Sequence, residues 1–260
     1  MRRYLVAAIY TLSASIGIVV FLYPLVAPLT PATSLSEAQR WSTPLLTAGL
    51  LGLSVLALLL EAQGQSLSAK AIAMLGVLVA VTSVLRFIEV AMPLPGGFSP
   101  IFAPIIIAGY VFGARFGFLM GTFSLLTSAL ITGGVGPWLP FQMFVAGWVG
   151  LTAGWVPCHG KSWERYALCG LGALWGFLYG IIINLYFWSL VMAPHEQSWS
   201  QGFSLLQTVR QYATFYVTTS LAWDVARAVG NVALLAVLTV PMAKVLLRFR
   251  QRFQFEVAGG

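Results

Sequence analysis

Charge is what this sequence has least of. Of its 260 residues 8% are charged, where a soluble domain carries about 25%. So few charges cannot cover a water-facing surface, and 59% of the residues are hydrophobic. Cysteine is scarce too: Cys158 and Cys169 are too few for a disulfide scaffold. Both fall on or near the side expected to be cytoplasmic, where thiols stay reduced. The two histidines, His159 and His195, have no metal-ligand spacing to the cysteines. Enzyme signatures such as GxSxG and HExxH are missing. "GKS" at Gly160 to Ser162 lacks the first glycine of a phosphate-binding loop, because position 155 is Trp. The chain has no visible means of hydrolysing ATP.

What is present is a series of long apolar runs, most of them long enough to cross a bilayer core. They predict an all-α polytopic membrane protein with about eight helices: roughly Tyr4 to Leu29, Pro44 to Leu60, Ala69 to Ala91, Ile101 to Phe112, Phe116 to Thr132, Leu139 to Val156, Tyr166 to Met192 and Ala213 to Leu247. The first is longer than a signal-peptide core and reads as a retained helix. Twelve residues from Ile101 do not span a core of about 30 Å, so that segment is expected to be tilted, broken or re-entrant, packed against protein. The formal net charge of +7 suggests an acidic partner, but its placement argues against nucleic acid. Arg2, Arg3, Lys70, Arg115, Lys161, Arg165, Lys244, Arg248, Arg250 and Arg252 fall on one side when the crossings alternate. Only Arg40 and Arg210 fall in the loops of the other. Eight crossings with both termini cytoplasmic follow from the positive-inside rule.

Small residues form rows at helical spacing: Ala69, Ala73, Gly76, Ala80 and Ser83; Gly117, Gly121, Ser124 and Ser128; Ala146, Gly150 and Gly154; Gly172, Gly176 and Gly180. Such faces let helices approach closely in lipid. Internal packing accounts for most rows; one facing lipid would be a docking surface for another membrane protein. Arg86 with Glu89, and Asp224 with Arg227, are i, i+3 pairs placed within apolar segments, near their outer ends. Charges at such depth face a bundle interior or a water-filled cavity. They are structural salt bridges, ligand contacts or both, since a paired arginine keeps spare donors. Trp138, Gln142, Asn184, Tyr186, Trp188, His195 and Trp223 map to the same outer level. Together they would suit a flat, partly polar ligand, although Trp and Tyr collect at interfaces in any case.

The stretches "PLPGGFSPIFAPIIIAGYVFGARFGFLMGTFSLLTSAL" (93–130), "GGVGPWLPFQMFVAGWVG" (133–150) and "TSLAWDVARAVGN" (219–231) resemble the substrate-binding S components of energy-coupling factor (ECF) vitamin transporters. The resemblance covers roughly Ala69 to Leu247 and implies a six-helix substrate-binding bundle over 67–260, preceded by two additional transmembrane helices in 1–66. It implies a multi-pass protein of a prokaryotic inner or plasma membrane, with no enzymatic activity and no intrinsic cofactor. The protein would capture a vitamin near the outer surface and dock on a membrane T component that carries two cytoplasmic ATPase subunits. The tail motif suggests the branch for cobalamin or a related corrinoid; thiamine, riboflavin or their precursors are the runners-up. On this reading the candidate substrate residues are those already placed at the outer level, Arg86, Glu89, Asn184, Tyr186, Trp188, Trp223, Asp224 and Arg227, with Trp138 at the pocket mouth and Gln142 one turn into the next helix, and with His195 a candidate for contacting cobalt if the ligand is a corrinoid. Its AxxxA docking signature falls on Ala69 and Ala73, and the row continues through Gly76 and Ala80. The two N-terminal helices depart from the family pattern. The readings from other classes are a membrane enzyme acting on a lipid or isoprenoid through Asp224 and Arg227, and a structural membrane subunit.

Overall fold

A computed structural model describes residues 69–92, 98–136, 138–157, 163–190 and 205–255, with isolated positions 8, 11, 12, 15, 49 and 52. The two predicted N-terminal helices therefore lie outside the described residues, apart from those six positions. The described residues form seven helices: α1 (Ala69–Ala91), α2 (Phe102–Phe112), α3 (Ala114–Thr132), α4 (Leu139–Ala153), α5 (Glu164–Leu190), α6 (Leu205–Thr219) and α7 (Leu221–Phe255). By length and apolar composition four can cross a membrane, over Ala69–Ala91, Ala114–Thr132, Glu164–Leu185 and Leu221–Gln251.

The short α2 is the centre of the bundle. It touches α1, α3, α4, α5 and α7, and every residue from Phe102 to Val111 is buried. A helix too short to span is tolerated at membrane depth when protein surrounds it. Its sequence suits that place. Pro104 falls in the first turn, where its missing N–H would have no helical partner. Gly113, at φ 98°, reverses the chain directly into α3. The guanidinium of Arg250, far along α7, donates to the Val111 carbonyl at 2.6 Å. A cation is thereby placed on the orphan carbonyls of the last turn of α2.

Three of the four small-residue rows are internal packing. A Cβ on Gly117 would meet the Gly150 carbonyl, one on Gly121 the Ala146 carbonyl, and one on Gly154 the backbone of Ala114. The α3 and α4 rows are thus pressed backbone to backbone. The α5 row does the same against α7, where Gly172 meets Leu235 and Gly176 meets Ala228. The α1 row behaves differently. Ala69, Ala73, Gly76 and Ala80 are exposed, alongside Val77, Val81, Val84, Phe87 and Ile88, while Ser83 turns into the core. Nothing lies within 4 Å of a Cβ built on Gly76.

One predicted segment is corrected. The run from Ala213 to Leu247 is not one helix, and the polar stretch before it is not all loop: Leu205–Thr219 is a separate helix that ends at Ser220. In its last turn the hydroxyl of Thr218 donates to the Thr214 carbonyl at 2.9 Å and that of Thr219 to Phe215 at 2.7 Å. Hydroxyls bonded back to the preceding turn bend helices. Continuous apolarity across Ala213 to Leu247 hid that break.

Candidate functional site

The ionisable residues of α1 and α7 meet across α5. On α1 Arg86 forms an ion pair with Glu89. The second Glu89 oxygen accepts a hydrogen bond from Ser99 Oγ at 2.8 Å. Ser99 and its neighbour Phe98 belong to the Pro/Gly connection between α1 and α2. Phe98 is tucked against α7, where its ring lies in the space a side chain on Gly230 would need.

On α7 Asp224 pairs with Arg227 and accepts from the Tyr216 hydroxyl at 2.7 Å. Only 1% of the Asp224 side chain is exposed, and its carboxylate occupies the space a Cβ on Gly180 would need. One turn along, Arg227 donates to the Gly176 carbonyl at 3.2 Å. A further turn along, Asn231 donates to the Gly172 carbonyl at 2.9 Å. The glycine ridge of α5 therefore serves a row of polar side chains on α7. Without Cβ atoms, its backbone comes close enough for one carbonyl per turn to be bonded, and a carboxylate fits at its end.

Tyr179 joins the two halves. It is buried on α5 with the Arg227 guanidinium 5.3 Å from its ring centroid, and Phe102 of α2 meets its ring edge-on at 4.9 Å. Arg86 and Glu89 lie within electrostatic range of Tyr179, and Glu89 within range of Arg227, so the two ion pairs are neighbours. Arg86, Glu89 and Arg227 keep side-chain exposures of 28%, 15% and 16%, so the cluster is partly open, whereas Asp224 is sealed.

Helix α6 covers the Asp224 side. Tyr212 donates to the Ile181 carbonyl of α5, and its ring packs at 5.4 Å against the buried Trp188. Burial pushes the phenols of Tyr212 and Tyr216 above their usual value, and the nearby Asp224 adds to both shifts. Both therefore stay protonated donors at physiological pH.

Of the sequence-predicted site residues, the structure brings Arg86, Glu89, Asp224 and Arg227 together. Asn184 is half-buried on α5, one turn beyond Gly180. Trp188 is buried under α6. Trp223, by contrast, is 54% exposed on the outside of α7 and does not join them. Trp138 is half-buried, its ring folded over Gly136 and its indole N–H donating to the Gly134 carbonyl at 3.3 Å. Gln142 is half-buried one turn into α4, which packs on α2, α3 and α5. No hydrogen bond among the described residues joins Trp138 or Gln142 to the charge cluster. The Tyr186 side chain and His195 lie outside the described residues. Sequence reasoning did not single out Ser99, Tyr179, Tyr212 or Tyr216. The only signal for Tyr179 is its place beside the Gly176 and Gly180 ridge.

Residues 70–239 match the family model described as ECF transporter, substrate-specific component. No curated protein and no solved structure matches the chain.

Proposed function

Because the chain belongs to the ECF transporter substrate-specific component family, a family of transport subunits and not of enzymes, we propose that it captures a vitamin at the outer face of a prokaryotic cell membrane. The captured vitamin is handed to a T component bearing two ATPase subunits. The match over 70–239 is the observation that carries this reading. The charge cluster supports it, since partly open ionisable groups at one end of an apolar bundle suit a small-molecule site better than a purely structural one.

The ligand we favour is cobalamin or a related corrinoid, with riboflavin, thiamine or a precursor as the other candidates. Trp138, Gln142, Asn184, Tyr186, Trp188 and His195 are proposed to line the approach to the cluster. Residues 1–66 would supply two added transmembrane helices beside the six-helix unit, and both termini would be cytoplasmic. The exposed Ala69, Ala73, Gly76 and Ala80 present a flat face that a partner helix could approach closely. The test is native mass spectrometry of the protein purified from its own host, with titration by cyanocobalamin followed by tryptophan fluorescence. Cobalamin co-purifying and binding at one site per chain is the expected result. Absence of cobalamin binding would remove the corrinoid assignment, and absence of every vitamin would remove the capture reading.

A further inference from the structure

We propose that the exposed valine stripe of α1 is covered from within the chain, by the second N-terminal segment, Pro44 to Leu60, and that this pairing leaves the small-residue row beside it free for a partner. Val77, Val81, Val84 and Ile88 follow one another at helical spacing and are 58%, 50%, 53% and 48% exposed. They form one ridge on α1. Ala69, Ala73, Gly76 and Ala80 form the adjoining exposed strip. Side chains branched at Cβ hold one strongly preferred rotamer in a helix, so such a ridge loses little freedom when it enters a groove. Helix contacts in lipid depend on packing of that kind, and on small residues that let backbones come close. The predicted segment 44–60 offers a groove. Its Gly49 and Gly52 are helical and exposed, and a Cβ on either would meet nothing. Glycine weakens a helix interior. Elsewhere in this chain helical glycines sit where a Cβ would collide with a neighbouring helix, as at Gly117, Gly121, Gly150 and Gly176. Gly49 and Gly52 call for a close neighbour of the same kind.

The connection says which neighbour. Only 61–68 separate the segment from Ala69. Helix–helix connections of about 2–8 residues join antiparallel neighbours. With Leu60 beside Lys70 and the two helices running in opposite directions, Leu53 comes level with Val77, Gly49 with Val81 and Leu46 with Val84. The ridge therefore meets the glycines at matching depth. The adjoining row fits less well: small residues set against glycines leave groove facing groove, with no side chain to fill it. A second copy of the chain competes poorly for the ridge, because a short tether gives the attached segment an effective concentration in the millimolar range. A T component, on the capture reading above, is then left to approach α1 from the side of Ala69 and Ala73.

The experiment is oxidative cross-linking of the full chain in isolated membranes, with Cys158 and Cys169 replaced by Ser. Gly49→Cys with Val81→Cys should form an intrachain disulfide in most of the protein, read by mass spectrometry of the linked peptides. Gly49→Cys with Val237→Cys, on the exposed side of α7, should stay reduced, and Val81→Cys alone should give no dimer. Gly49, Val81 and Val237 are all exposed, so the replacements disturb no packed contact among the described residues. A Gly49→Cys, Val81→Cys pair that stays reduced, as it would with lipid on the stripe, overturns the pairing, and so does a Val81→Cys dimer. The linked protein should also retain a T component and its ATPases on purification as well as the reduced protein does. Loss on linking alone would show that the segment covers the small-residue row too, and overturns the claim that the row is left free. Loss from linked and reduced protein alike would contradict the transporter reading, while the disulfide alone decides the pairing.

Discussion

Asp224 lies in an apolar bundle with each carboxylate oxygen bonded to a different side chain and its flank pressed on a glycine. Taking away one member of such a buried pair leaves the other uncompensated, at about 3–5 kcal/mol. Asp224→Ala should therefore unfold at much lower denaturant or temperature than wild type. Tyr216→Phe removes one hydrogen bond from a half-buried phenol and should cost about 1 kcal/mol. Thermal unfolding in detergent checks both. Equal losses in the two variants would show that the Tyr216 hydrogen bond, and not the ion pair with Arg227, accounts for what Asp224 contributes. The i, i+3 spacing made both ion pairs legible in the sequence. Their convergence was legible only as an expectation, because it depends on how α1 and α7 pack about α5. The Tyr216, Ser99 and Tyr179 contacts were not legible at all. They join residues on different elements, and no local pattern singles out one tyrosine or serine among many.

At the scale of elements, the glycine rows carry the architecture. The spacing was visible in the sequence, and so was the general preference for internal packing, but the partner of each row was not. A row specifies a close approach without saying to what. Gly176 and Gly76 make the distinction measurable. A Cβ on Gly176 would collide with the backbone of Ala228, whereas one on Gly76 meets nothing. Gly176→Ala should destabilise by about 1–3 kcal/mol, the range for overpacking a tight contact. Gly76→Ala should be neutral or stabilise by about 0.5–1 kcal/mol, since alanine is the better helix former. Chemical denaturation in a mild detergent compares them, and a destabilised Gly76→Ala would mean that this face is packed against protein. Helix α6 shows why one element boundary escaped the sequence. Arg210, Gln207 and Gln211 make its start read as polar loop, while Ala213 to Thr219 merges with the apolar run that follows. The pattern that makes it a helix is the spacing of Thr208, Tyr212 and Phe215 on the face turned to the bundle. That is ordinary i, i+4, i+7 helical spacing, but only one of the three is aliphatic or purely aromatic, and the polar residues between them hide it.

For the whole molecule, α2 is the hub and the two ends of the bundle differ in character. One end gathers Arg86, Glu89, Tyr179, Asp224 and Arg227, with α6 covering Asp224. At the other, Arg250 closes the final turn of α2, so a residue that reads in the sequence only as a topology signal also has a structural partner. The exposed small-residue face of α1 runs from this second end, which the positive-inside pattern predicts to be cytoplasmic. A substrate-binding subunit needs both features: a site at one end and a surface by which it engages the rest of the transporter. The measurement that tests their combination most directly is uptake of radiolabelled cyanocobalamin into proteoliposomes holding the chain, a T component and its two ATPases. Wild type should accumulate the label only when ATP is supplied on the ATPase side. Ala69→Trp with Ala73→Trp should abolish accumulation while binding cyanocobalamin in detergent with wild-type affinity. ATP-dependent uptake that persists in the double variant would contradict the docking face, and failure of the wild type both to bind and to transport would contradict the account as a whole.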